Sequence, residues 1–213
     1  MAVSMTTPNT LLGGIQPRSD SARLLTNIAA VILGSLLLYA SAKFKLPLPP
    51  VPFTLQTLAV ALIAGTAGWR IGVATVALYL IEGLAGLPVF AGETAGPAYL
   101  LGTTGGFLIG YLPMAYFIGR AADAGASGNV ALFFVFMVIG DAFAFALGYL
   151  WLYAVASSIV ASGAALPKWL QGDSLALVAF NGAIKPFILW DLLKMAFAAM
   201  TVSGAVALLR KRN

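Results

Sequence analysis

Apolar residues in this chain fall into six long blocks separated by short polar or Gly/Pro-rich breaks. The first block, residues 24–42, is uninterrupted. At about 1.5 Å of rise per residue a helix of that length spans roughly 30 Å, the hydrocarbon thickness of a bilayer. The second block, 53–67, is short by that measure, and the third and fourth cover 69–84 and 105–122. The fifth, 130–157, is long enough to tilt or to run past the hydrocarbon. The sixth covers 186–209 and opens on Pro186, which suits a first helical turn because its missing N–H is no loss there.

The break between blocks three and four, residues 86–106, is too apolar for a solvated loop and too rich in Gly and Pro for a helix. Irregular backbone at membrane depth is tolerated only when it is buried in protein or lines a cavity. The stretch therefore reads as a re-entrant or capping element and a wall for a ligand, with a plain extended surface loop as the alternative. Residues 1–22 are polar, rich in Ser and Thr, and lack the apolar core of a signal peptide. They are expected to form a flexible N-terminal tail ahead of a single six-helix membrane domain, 23–213.

Composition supports the membrane reading. The chain is 61% hydrophobic and 9% charged, against roughly 45–50% and 25% in soluble domains. With no Cys and no His, disulfides, thiolate or imidazole metal sites and Ser-His-Asp triads are excluded. No metal site and no catalytic residue is expected. The net charge of +5 comes from bases scattered singly between apolar blocks, clustering only at Arg210-Lys211-Arg212, a pattern that fits membrane topology and not nucleic-acid binding. Six spans put both termini on one side. That side carries Arg18, Arg23, Arg70, Arg120, Arg210, Lys211 and Arg212, against Lys43, Lys45, Lys168 and Lys185 opposite. The bias places both ends in the cytoplasm and the chain in the cell's inner (plasma) membrane.

Three ionisable residues remain inside the blocks: Asp141, Asp191 and Lys194. Each is costly in lipid unless paired or hydrated, so each is a functional candidate. Asp191 and Lys194 stand at i, i+3 on one helix face, roughly 8 and 12 Å below the outer surface. Asp141 lies about 17 Å from the inner surface, near the depth of Lys194. Together they predict a polar pocket in the outer half, or else a buried ion pair joining the last two helices. A carboxylate takes N–H donors while an ammonium donates to a carbonyl, so the pair suits a neutral group carrying both, such as a cyclic urea. Asp141 taken alone reads as a counter-charge or structural hydrogen-bond acceptor ahead of a ligand-binding group. Gln56, near the start of block two, either offers its amide to a ligand or satisfies backbone groups freed by the neighbouring prolines. Ala30 and Gly34, four apart in block one, allow another helix to approach closely.

These features resemble a known family, the BioY proteins, which are biotin-specific S components of energy-coupling-factor transporters. The resemblance runs from about Leu24 to the C-terminus. It rests on Pro50-Val-Pro-Phe-Thr-Leu-Gln-Thr57, Gly86-Leu-Pro-Val-Phe-Ala-Gly92, Gly102-Thr-Thr-Gly-Gly-Phe107 and Asp191-Leu-Leu-Lys194. It implies an all-α protein of six transmembrane helices that binds biotin from outside, without a cofactor. Asp191 and Lys194 would meet the ureido ring, and the loop after the third helix, through Gly92, Thr94 and Gly96, would hold the valerate end. Some relatives carry Asn at the position of Thr94 and Arg at that of Leu108; here backbone N–H groups at Gly105-Gly106 are a substitute for the carboxylate. The resemblance also implies docking of a transmembrane coupling subunit on the first helix, where Ala30 and Gly34 stand, and separate ATPase subunits. No Gly-x-x-x-x-Gly-Lys-[Ser/Thr] phosphate loop occurs in this chain.

Two other readings are carried forward. One is an S component for a different vitamin. The other is an intramembrane lipid-modifying enzyme using Asp141 and Asp191 as acid and base, although no reaction-specific motif accompanies them.

Overall fold

The computed structural model describes residues 5–92, 95–165, 167–172 and 174–212. Helix α1 covers Leu11–Gly14 and α2 covers Asp20–Lys43. The start of α2 is fixed locally: Ser19 accepts a hydrogen bond from the Ala22 N–H, and Asp20 places negative charge in the first turn. Two short strands follow, β1 (Lys45–Leu46) and β2 (Phe53–Thr54), paired antiparallel with Lys45 opposite Thr54. The strands stop there because Pro47, Pro49, Pro50 and Pro52 between them cannot donate to a ladder.

Helices α3 (Gln56–Ala67) and α4 (Trp69–Leu84) come next. They are followed by the single turn α5 (Pro97–Leu100), then α6 (Gly105–Asp123) and α7 (Val130–Ala161), and finally α8 (Leu175–Ala183) and α9 (Ile188–Arg212). Among the described residues three stretches are long and apolar enough to cross a membrane: Asp20–Lys43, Val130–Ala161 and Leu175–Lys211. The last of these is divided by a turn at 184–187 into α8 and α9.

The pattern of apolar blocks and the helices differ at their edges. The second block begins at Phe53, but Phe53 is taken by β2 and the helix starts at Gln56. The helix of the fifth block, α7, runs on to Ala161, and Pro186 lies in the turn ahead of α9. The expected N-terminal tail is packed from Met5 onward against the end of the bundle where α6 finishes. Asp123 organises that end, its carboxylate accepting from the Trp69 N–H at the start of α4 (3.2 Å) and from the Thr7 hydroxyl (2.9 Å). The Asp123 carbonyl accepts from the Asn9 amide at 2.8 Å.

Helix α3 is the centre of the bundle, touching α2, α4, α6 and α9. Its small residues Ala59, Val60, Ala61 and Ala64 are all buried, which lets the surrounding helices close in. The outside is apolar instead of polar. Leu25, Leu33 and Leu208 are each more than 60% exposed, an arrangement water would penalise and lipid tails solvate.

Candidate functional site

At the end of the bundle where α2 gives way to the ribbon, a cavity opens among α3, α6, α7 and α9, with about 470 Å³ of empty space when its open mouth is included. Its floor is polar. Asp191 and Lys194 lie one turn apart on α9 and are 2% and 9% exposed. Lys194 Nζ donates to Asp191 Oδ1 (3.1 Å), to the Thr54 carbonyl (2.8 Å) and to Thr57 Oγ1 (3.2 Å). The Thr57 hydroxyl in turn donates to Asp191 Oδ1 at 2.5 Å. The Lys194 ammonium also stands 4.1 Å from the centroid of the Phe53 ring, which adds cation–π attraction. Two buried charges are thus paired and held by neutral hydrogen-bonding groups, a donor for Asp191 and acceptors for Lys194, the condition under which such groups are tolerated in a low-dielectric interior.

The walls are aromatic. Phe107 meets Phe145 edge-on at 5.8 Å, Phe145 lies 6.2 Å from Phe187, and Phe187 stacks on Phe53 at 6.2 Å. Tyr99, Tyr111 and Leu108 complete the apolar side. An arrangement with a paired carboxylate and ammonium at one end and ring faces around it takes a compact, uncharged, hydrogen-bonding head on an apolar body.

Ala91 and Tyr99, from the segment between α4 and α6, line one side of the cavity. Phe90 is fully buried, edge-on to Tyr79 (5.5 Å) and stacked on Tyr99 (5.0 Å). Lys43 Nζ donates to the Phe90 carbonyl (2.9 Å) and Lys45 Nζ to that of Ala91 (2.6 Å). Thr103 donates to the Pro50 carbonyl (2.8 Å), and the Trp151 indole to that of Gly102 (2.9 Å). A wider vestibule of about 690 Å³ lies outside, sharing Pro52, Ala91, Tyr99 and Thr104 with the cavity.

The residues singled out from the sequence divide by position. Gln56 lines the cavity, but both ends of its amide are engaged within the chain. Its Nε2 donates to Tyr79 OH (2.9 Å), which donates to the Val89 carbonyl, and its Oε1 accepts from Thr54. Gly92 lines the vestibule, where a Cβ would stand 2.4 Å from the Tyr99 ring. Gly96 turns the chain into α5 with φ of +80°, a conformation that favours glycine. Its N–H is bound to the Gly83 carbonyl at 2.8 Å. Thr94 lies outside the described residues.

Asp141 lies within electrostatic reach of both Asp191 and Lys194. It is buried on α7 and does not line the cavity, and its Oδ1 has no hydrogen-bond partner among the described residues. Gly105 and Gly106 also lie off the cavity wall. A Cβ at Gly106 would fall 2.3 Å from the Trp151 Cβ and 2.4 Å from the Leu147 carbonyl, so that face is packed on α7. Gly34 is buried against Thr75 of α4, and Ala30 is half-buried beside it, both at the edge of an apolar groove with Leu33 and Leu37.

Sequence reasoning passes over Thr57, Tyr79, Phe90 and Tyr99. A threonine in an apolar helix and aromatics in a chain that is 11% aromatic carry no distinguishing signal. Thr57 and Phe90 fall inside two of the motifs quoted above, but what they touch is set only by folding.

The model of the BioY family matches residues 12–211. The chain is 34% identical over 164 residues to "Biotin transporter BioY" of Thermotoga maritima, covering 77% of this chain and 86% of that one. It is 34% identical over 128 residues to "Biotin transporter BioY2" of Lactococcus lactis subsp. cremoris, covering 60% and 70%. Its fold is similar to that in a crystal structure of the S-component for biotin from an ECF-type ABC transporter, with a TM-score of 0.72 and 22% identity over 92% of this chain and 96% of the other. The chain belongs to the BioY family.

Proposed function

We propose that this BioY-family chain is the substrate-binding membrane subunit of a biotin uptake transporter and not an enzyme. It captures biotin from the outer side of the plasma membrane. Helices α2, α3, α4, α6, α7 and α9 are its six spans, with both termini in the cytoplasm and the 85–104 segment closing the outer mouth. The single observation that carries this reading is the Asp191–Thr57–Lys194 cluster at the floor of an aromatic cavity. A ureido ring offers two N–H donors and one carbonyl acceptor. Asp191 takes the donors, Lys194 and Thr57 donate to the carbonyl, and the ring faces enclose the fused apolar rings. Relatives carrying the name biotin transporter support the same substrate.

Transport needs energy that this chain cannot supply, since it carries no phosphate-binding loop sequence. The partners are a transmembrane coupling subunit and ATPase subunits, in surrounding membrane lipid. The coupling subunit docks along α2, where Ala30 and Gly34 border the apolar groove.

Titration of the detergent-solubilised protein with biotin tests the assignment, alongside Asp191→Asn and Lys194→Ala. Each variant is expected to weaken binding by about 2–5 kcal/mol, because the surviving partner is left buried and unpaired. A folded, ligand-free wild type that ignores biotin but binds another vitamin moves the chain to that substrate.

A further inference from the structure

We infer that Tyr111 is a specificity-determining residue whose hydroxyl donates a hydrogen bond to the ureido carbonyl of the bound substrate, a reading that rests on biotin being that substrate. Tyr111 lines the cavity and is 4% exposed. A buried tyrosine hydroxyl usually finds a partner. Tyr79 finds two, accepting from Gln56 and donating to the Val89 carbonyl. The Tyr111 hydroxyl makes no hydrogen bond among the described residues. Unlike the partnerless Oδ1 of Asp141, it is not sealed off: it keeps accessible surface, and the cavity is the space that Tyr111 lines.

The donors around it are committed. Lys194 has three N–H groups and meets three acceptors, the Thr54 carbonyl, Thr57 Oγ1 and Asp191 Oδ1. The single O–H of Thr57 goes to Asp191, and that of Thr54 to Gln56. Lys194 and Thr57 therefore reach a ligand carbonyl only by sharing a bond they already make, whereas Tyr111 gives up none.

Position sets Tyr111 apart from the other unengaged hydroxyls. Tyr99 and Thr104 also lack side-chain hydrogen bonds among the described residues, but both line the vestibule as well, on the outer wall. Tyr111 lines the cavity alone. It follows Thr104, the residue ahead of α6, by two helical turns, which puts it about 10 Å deeper, within electrostatic reach of Asp191. Both bonds to the Asp191 carboxylate fall on Oδ1, which leaves Oδ2 without a partner among the described residues. One free acceptor and one free donor then face the same head group, as the N–H and C=O of a urea require.

The test uses Tyr111→Phe, which removes the hydroxyl and keeps the ring. Wild type and variant are titrated with biotin in detergent, and the bound carbonyl is read at saturation by infrared difference between biotin isotope-labelled at the ureido carbonyl and unlabelled biotin. The variant is expected to bind about five- to thirtyfold more weakly, with the carbonyl stretch moved to higher wavenumber because a donor is lost. Unchanged affinity overturns the inference. Weaker binding with an unmoved stretch gives the carbonyl to another donor, such as the second N–H of Gln56, and overturns it too. A wild type that does not bind biotin sinks the substrate reading itself, and this inference with it.

Discussion

Thr57 on α3 and Asp191 on α9, 134 positions apart in the chain, are joined by a 2.5 Å hydrogen bond from the threonine hydroxyl to the carboxylate. The same hydroxyl accepts from Lys194. One small side chain therefore sets the spacing of the acid–base pair and ties α3 to α9 at the floor of the cavity.

Replacing Thr57 by Val keeps the shape and removes both bonds. Biotin affinity is expected to fall by about 1–2 kcal/mol, roughly five- to thirtyfold, with Thr57→Ser recovering most of it. Calorimetric titration of the three proteins checks this; equal affinity of Val and wild type would show that the hydroxyl does not shape the site.

Breaking the pair and removing it should differ in their effect on stability. Lys194→Ala leaves a buried, uncompensated carboxylate and is expected to cost about 3–5 kcal/mol of stability. The double variant Asp191→Leu, Lys194→Met removes both charges, so its melting temperature in detergent should lie above that of Lys194→Ala while its biotin binding stays weakened. If the double variant melts lowest of all, the pair is a net source of stability in this bundle.

Gly83 sits at the end of α4 beneath the covering loop, and a Cβ there would lie 2.0 Å from the Phe90 ring. Gly83→Ala must displace Phe90 from its place between Tyr79 and Tyr99. Overpacking of this kind costs about 1–3 kcal/mol. Its expected signature is faster biotin release in a stopped-flow chase, with little change in association, since interface changes act mainly on the off-rate. An unchanged release rate would mean the loop does not control exit.

At the opposite end, Asp123→Ala removes the acceptor for the Trp69 N–H and for Thr7. Loss of such a cap costs about 1–2 kcal/mol. Trypsin should then cut at Arg18 faster than in the wild type, because the segment before α2 loses its anchor. Identical digestion kinetics would show that other contacts hold the segment.

How much of this is legible in the sequence depends on the physics of each part. Long apolar runs announce α2 and α7 because lipid demands them, and a charged i, i+3 pair inside such a run marks Asp191 and Lys194 as exceptional. The ribbon is hidden because two-residue strands have no periodicity, and prolines alone do not say that Lys45 will meet Thr54. The packing of the N-terminal segment is hidden for a different reason: Asp123 is 116 positions from Thr7, and no local rule links a surface acid to a hydroxyl so far away. Asp141 reaches the charges of Asp191 and Lys194 without lining the cavity itself. Apparent depth in a span sets a side chain's height, and only the rotation of the helix decides what it faces.

The clasp over the mouth grips main chain. Lys43 and Lys45 hold the carbonyls of Phe90 and Ala91, Thr103 holds that of Pro50, and Trp151 holds that of Gly102. Every amino acid brings a carbonyl, so this fastening is blind to which side chains the gripped residues carry. Phe90 is also held by its buried ring, but a position such as Ala91, which lines the cavity, can be rewritten, and with it the surface a substrate tail touches, without removing its carbonyl from the latch. Fastening and selectivity are then separately heritable properties of the same loop.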